Sequence, residues 1–126
     1  MVRLAPDAGR LSVEVQIFGT RGCAETRKAE RFFKERRIRI HFVDLKQRAA
    51  SAGELRRFAQ KFGAEALLDR ESKRFRDRGL HVAHVAESRI LPLLEDDPLL
   101  LRTPLIRSGN LLAVGWDEAY WRGQVA

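Results

Sequence analysis

A single cysteine, Cys23, is the only thiol in this 126-residue chain, so one chain can neither close a disulfide nor assemble a cysteine-based zinc site. Proline and glycine are also sparse, at 4 and 9 residues. With apolar residues spread along the whole length, this excludes collagenous, low-complexity and disordered classes. No apolar run approaches the roughly 20 residues that a membrane-spanning helix needs. Residues 1–10 carry Arg3, Asp7 and Arg10 without a continuous apolar stretch, so they lack the hydrophobic region of a secretory signal. The expectation is a cytoplasmic protein with no membrane partner. A lone thiol in such a chain is either buried filler or chemistry.

The remaining composition is that of a globular chain. Hydrophobic residues make up 44%, and a chain of this length is expected to form one compact domain over residues 1–126, burying about two thirds of its unfolded surface. Lys and Arg number 24 against 17 Asp and Glu, a net charge of +7. That balance is compatible with a polyanionic partner. However, 19 of the basic residues are Arg, scattered from Arg3 to Arg122 with acidic residues between them. This reads as a solvated surface and not as a nucleic-acid footprint, and the phenylalanines between the charges fall at core spacing instead of forming a stacking platform. His81 and His84 are three apart, but no carboxylate or thiol is placed beside them or beside His41 to complete a ligand set, so no metal is expected.

Along the chain, residues 1–11 have no periodicity and read as a loosely held leader. Ser12 to Phe18 alternate polar and apolar, the pattern of a strand, which Gly19 to Gly22 end. From Ala24 to Arg36 helix formers dominate, with Ala29, Phe32, Phe33 and the stem of Arg36 on one face. Arg37 to Leu45 return to period two, with Ile38, Ile40 and Phe42 on one face. Ser51 and Glu54 form a capping-box signature ahead of Leu55, Phe58, Ala59 and Phe62, and Gly63 is placed as the C-terminal cap. A short helical turn over 64–68 follows, then a charged stretch over 69–78 that matches no single pattern. Residues 86–101 predict a helix interrupted near Asp97-Pro98. Leu105 to Arg107 and Leu111 to Val114 flank Ser108-Gly109-Asn110, a hairpin signal, and residues 116–121 read as a closing helix. The β-α-β start followed by a late antiparallel hairpin suits a thioredoxin-like arrangement, although pattern alone leaves ferredoxin-like topologies open.

Cys23 falls at the junction of the first strand and first helix, where unpaired amide groups and the positive end of the helix dipole favour an anion. Arg21 precedes it, Arg27 and Lys28 follow, and Thr26 at i+3 can donate its hydroxyl to the sulfur. These features are expected to lower the thiol pKa from about 8.5 and make Cys23 nucleophilic near neutral pH.

Three segments resemble the arsenate reductase-like ArsC/Spx family of the thioredoxin superfamily. Phe18 to Ala29, with Cys23, Thr26 and Lys28, is similar to that family's Cys-x-x-(Cys/Ser/Thr)-(x)-Lys turn. Phe42 to Leu45 and Leu67 to Phe75 resemble its second strand and central insertion. Asp97 to Ile106, then Gly109-Asn110 and Val114-Gly115-Trp116, resemble its proline-containing strand and Val-Gly-Phe ending. The resemblance runs from Val13 to Trp121 in matching order. It implies an α/β thioredoxin-like fold, a mixed four-stranded sheet flanked by helices with a helical insertion. It also implies a cis Pro104 that sets the Thr103 backbone beside Cys23 to bind an extended thiol substrate.

Two departures bear on activity. Thr103 stands directly before the proline where Arg is common, with Arg102 displaced by one position, and Asp69 with Arg70 beside it follows Leu67-Leu68 where arsenate-reducing members often carry Arg. Arginine suits a tetrahedral oxyanion because its fork binds two oxygens at once. Arg70 and Arg107 are the remaining candidates for substrate contact. The expected activity is that of a monothiol oxidoreductase without a bound cofactor. In it Cys23 attacks an oxyanion or a thiol substrate, Thr26 and Arg27 tune the sulfur, and glutathione or glutaredoxin acts as external reductant, arsenate reduction being one case. The alternatives are an Spx-like regulator that binds the RNA polymerase α subunit through a surface near Gly63, or a relative without catalytic activity.

Overall fold

The computed structural model describes residues 14–125; the leader expected over 1–11 and the first residues of the first expected strand lie outside them. The chain divides into two compact units, whose described parts are residues 14–43 with 103–125, and residues 44–102.

The first unit carries a sheet of order β2-β1-β3-β4. β1 is Glu14–Gly19, β2 Arg39–Asp44, β3 Leu105–Ser108 and β4 Leu111–Val114. β1 pairs antiparallel with β3, Phe18 opposite Leu105, and β3 pairs antiparallel with β4. The hairpin turns on Gly109, whose φ of 60° meets the requirement of a two-residue turn at its first central position. Helix α1, Ala24–Glu35, links β1 to β2. The four-stranded sheet and flanking helices are those of the thioredoxin-like fold.

α1 lies over the sheet because its apolar residues repeat at helical spacing. Ala29, Phe32 and Phe33 are buried with Val15, Ile17, Ile38, Ile106 and Trp121. Phe33 meets Trp121 edge to face at 5.3 Å, and Phe32 meets Phe33 and Trp116 at 5.2 Å each. Such pairs add about 0.5–1.5 kcal/mol each beyond the area they bury. Arg36 covers the outer edge of this cluster, its guanidinium 3.6 Å from the Phe32 ring centre. Helix α5, Glu118–Gln124, supplies Trp121 and is capped by Asp117, which accepts from the Tyr120 amide.

One boundary differs from the expected one for a physical reason. Arg37, expected to open the second strand, instead closes α1. Its amide donates to Lys34 and the next amide, of Ile38, donates to Phe33, with Arg37 at φ 60°. This is the Schellman arrangement, and glycine is its usual occupant. An arginine there gives no sequence signal of a helix end.

The second unit is helical: α2 is Ala52–Phe62, α3 Lys73–Asp77 and α4 Glu87–Asp96, with short 3-10 turns between them. The Ser51 hydroxyl accepts from the Glu54 amide as its spacing predicts, and Gly63 takes φ 86°. The charged stretch over 69–78 resolves into two local devices. The Asp69 carboxylate accepts from the Glu71 amide, and the Ser72 hydroxyl caps α3 by accepting from Phe75. α4 runs through Pro92 and ends before Pro98. Leu55, Phe58, Leu67, Leu68, Ile90 and Leu100 are among the buried apolar residues of this unit.

Asp97 is buried at 5% exposure, and one of its oxygens accepts from Arg74 at 2.8 Å and Arg78 at 2.9 Å. Burial pushes its carboxyl pKa up, but the Arg78 and Arg74 hydrogen bonds and charges outweigh this and leave it lowered. A carboxyl lowered on folding stabilises the fold above its unfolded pKa, and the contribution fades as pH falls through the folded value. Asp97→Asn should therefore cost about 1–3 kcal/mol near neutral pH, with the gap from wild type closing below about pH 4. Urea unfolding across that range checks this; a gap that stays constant with pH contradicts it.

Candidate functional site

β1 runs into the turn Thr20 to Gly22, and Cys23 then occupies the N-terminal cap position of α1 with extended backbone, φ −82° and ψ 120°. The turn is closed by the Cys23 amide donating to the Thr20 carbonyl at 3.1 Å, and the helix begins with the Arg27 amide on the Cys23 carbonyl at 3.0 Å. The sulfur is half-buried. It stands where a serine or aspartate cap would accept from the second and third helical amides, here those of Glu25 and Thr26. The Cys23 side chain makes no capping hydrogen bond of ordinary geometry; a charged sulfur is the better acceptor of such amides.

The second contribution arrives from the start of β3. The Thr103-Pro104 bond is cis, as the family resemblance implies. The Thr103 hydroxyl donates to Cys23 Sγ at 3.3 Å. The Gly115 amide donates to the Pro104 carbonyl at 2.8 Å, continuing the β3–β4 ladder by one step and tying this segment to the sheet.

Burial pushes the Cys23 pKa up. The Thr103 hydroxyl, the Thr26 hydroxyl and the amides of Thr26 and Glu25, in that order, more than offset it, so the thiol is lowered from its ordinary value. All four donors are neutral. The cations expected to lower it are engaged elsewhere: Arg21 pairs with Glu30 at 2.8 Å and stacks on Phe42, Lys28 faces Glu25, and Arg27 donates to the Arg21 carbonyl at 2.9 Å. Arg27 thus braces the turn that carries the sulfur and does not touch it.

Of the residues expected at the site, Cys23, Thr26, Thr103 and Pro104 come together. Arg107 does not join them. It lies four residues beyond Thr103 on an extended strand, about 13 Å along it, and its Nε donates to the Gly109 carbonyl at the hairpin end. Arg70 belongs to the second unit, where it forms a two-pronged pair with Glu65; Arg102, in the same unit, donates to the Ala66 carbonyl at 3.2 Å. Sequence reasoning assigned Thr103 a backbone role and missed its side chain. The signal that was available was a hydroxyl directly before the proline that faces the thiol. Among the described residues, no three His, Cys, Asp or Glu side chains gather as a metal site. No helix among them is long and apolar enough to cross a membrane.

Comparisons with known proteins show the family of the chain. The family model described as the ArsC family matches residues 18–123. The global transcriptional regulator Spx 2 of Oceanobacillus iheyensis is 26% identical over 106 residues, covering 82% of this chain and 78% of its own. Among solved structures, the YFFB protein superposes with a TM-score of 0.79 at 22% identity, over 89% of this chain and 99% of its own. An arsenate reductase (ArsC) related protein from Brucella melitensis does so with 0.63 at 26% identity, over 89% and 94%. With the family model matching residues 18–123, from the turn that carries Cys23 through the cis-proline strand, the chain belongs to the ArsC family.

Proposed function

We propose that this protein is a monothiol oxidoreductase that uses Cys23 and an external thiol. The observation that carries the reading is the Thr103 hydroxyl on Cys23 Sγ at 3.3 Å. A sulfur at a helix N-terminus with a hydroxyl donor is arranged to be a thiolate, the form that attacks disulfides. With no second cysteine in the chain, resolution falls to a thiol from outside. In the proposed cycle the Cys23 thiolate attacks the glutathione sulfur of a mixed disulfide, forming Cys23–S–SG and releasing the substrate as its thiolate. Glutathione, or glutaredoxin acting in its place, then attacks Cys23–S–SG, leaving with the glutathionyl sulfur as a new disulfide and returning the Cys23 thiolate. Each step breaks one S–S bond and forms another.

Arsenate is the less favoured substrate. Oxyanion binding draws on guanidinium groups beside the nucleophile, whereas Arg21 is paired with Glu30, and Arg27 and Arg107 donate to the carbonyls of Arg21 and Gly109. The second reading is an Spx-like regulator that binds the RNA polymerase α subunit, supported by the likeness to Spx 2 proteins. Thr26 stands where a redox-sensing pair would carry its second cysteine, so a disulfide switch is not part of that reading. Gly63, at φ 86°, is accounted for by the end of α2.

Two outcomes are expected. Glutathione disulfide should add one glutathionyl group to the wild type and none to Cys23→Ser, as read by intact mass, and reduced glutathione should remove it. Absence of the adduct, with polymerase α subunit retained by both proteins, would favour the regulator. Thr103→Val should raise the Cys23 pKa, slowing iodoacetamide alkylation about tenfold at a pH below the pKa. An unchanged rate would show that the hydroxyl does not hold the thiolate.

A further inference from the structure

The register of β3 with β4 puts Gly115 opposite Pro104, one step beyond Leu105 opposite Val114. Antiparallel partners that bond to each other exchange two backbone hydrogen bonds, but a proline has no N–H to give. The pair is therefore held by one bond, the Gly115 amide donating to the Pro104 carbonyl at 2.8 Å. The residue before Pro104 is Thr103, whose hydroxyl donates to Cys23 Sγ at 3.3 Å. On the other side of Gly115 the chain is committed again. The Trp116 ring meets Phe32 edge to face at 5.2 Å and Phe33 at 5.9 Å, and both belong to α1, the helix that Cys23 caps. Between these two contacts the backbone turns at Gly115 with φ 81°, in the left-handed region where a side chain is strained. A Cβ there would meet no atom within 4 Å, so conformation and not space calls for glycine.

We infer that Gly115 is a positioning residue for the Thr103–Cys23 hydrogen bond: its turn holds the donor segment through Pro104 and the acceptor helix through Trp116. Any other residue must leave φ 81° or bear the strain, and leaving it draws the amide off Pro104 or the ring off Phe32. Gly115 acts through Thr103 and not on the sulfur. No charged group belongs to this chain of contacts. The inference rests on the reading of Cys23 as a working thiolate.

The test is a mutant cycle read by the rate of Cys23 alkylation with iodoacetamide at a pH below the pKa, with folding followed by circular dichroism. Gly115→Ala should slow alkylation about three- to tenfold in the wild-type background and add no slowing to Thr103→Val, where the donor is already absent. Gly115→Asn should slow it less than Gly115→Ala, because asparagine tolerates left-handed backbone better than alanine. If Gly115→Ala does not fold, Gly115→Asn carries the cycle, with its slowing likewise lost beside Thr103→Val. A wild-type rate in the folded variant, equal slowing in both backgrounds, or failure of both variants to fold would overturn the inference. A wild-type thiol that titrates near its ordinary value would instead remove the oxidoreductase reading, and with it this inference.

Discussion

A thiol at the start of a helix is eased toward ionisation only by donors around its sulfur, and those donors come from separate parts of the first unit. α1 supplies two amides at its N-terminus because Cys23 occupies the cap position. The turn before it is closed on Thr20 and braced by Arg27 on the Arg21 carbonyl. The segment leading into β3 brings the Thr103 hydroxyl to the sulfur, and β3 is held in place by antiparallel pairing with both β1 and β4. The aromatic cluster of Phe32, Phe33, Trp116 and Trp121 fixes α1 over the sheet, and so fixes the height of its N-terminus relative to Thr103. Packing many residues away from Cys23 thereby determines whether the donors converge within hydrogen-bond distance.

The source of the stabilisation matters for the chemistry. Hydroxyl and amide donors lower a thiol pKa without bringing a net charge to the site, so they favour the thiolate and leave open the charge of what it attacks. Guanidinium groups turned toward the sulfur would instead select an anion. Here Arg21, Arg27 and Arg107 are directed to Glu30 and to the carbonyls of Arg21 and Gly109. This is the physical ground for preferring a disulfide to arsenate within a family that includes arsenate reductase-like proteins.

Much of the fold was legible because its signals are local. The alternation in Ser12 to Phe18 and the Ala29, Phe32, Phe33 stripe mark β1 and α1 directly. Ser51 with Glu54 marks the start of α2, and Gly109 marks the hairpin. The parts that were not legible depend on context. Arg37 ends α1 in a conformation usually held by glycine. The five-residue α3 depends on a Ser72 cap too short-range to stand out among charges. At the site, Cys23, Thr26, Thr103 and Pro104 were legible from position and family pattern. The direction of the arginines was not, since Arg27 and Arg107 are turned away by carbonyl acceptors that only the folded chain brings near.

The central claim is that neutral donors hold Cys23 as a thiolate. Its most direct test is a pH titration of the wild-type thiolate by ultraviolet absorbance, at low and at high salt. The account predicts a pKa below the ordinary value of about 8.5 that is nearly insensitive to salt, because hydroxyl and amide donors are not screened as exposed charges are. A pKa at or above that value would contradict the account, and one that rises steeply with salt would return the role to the arginines.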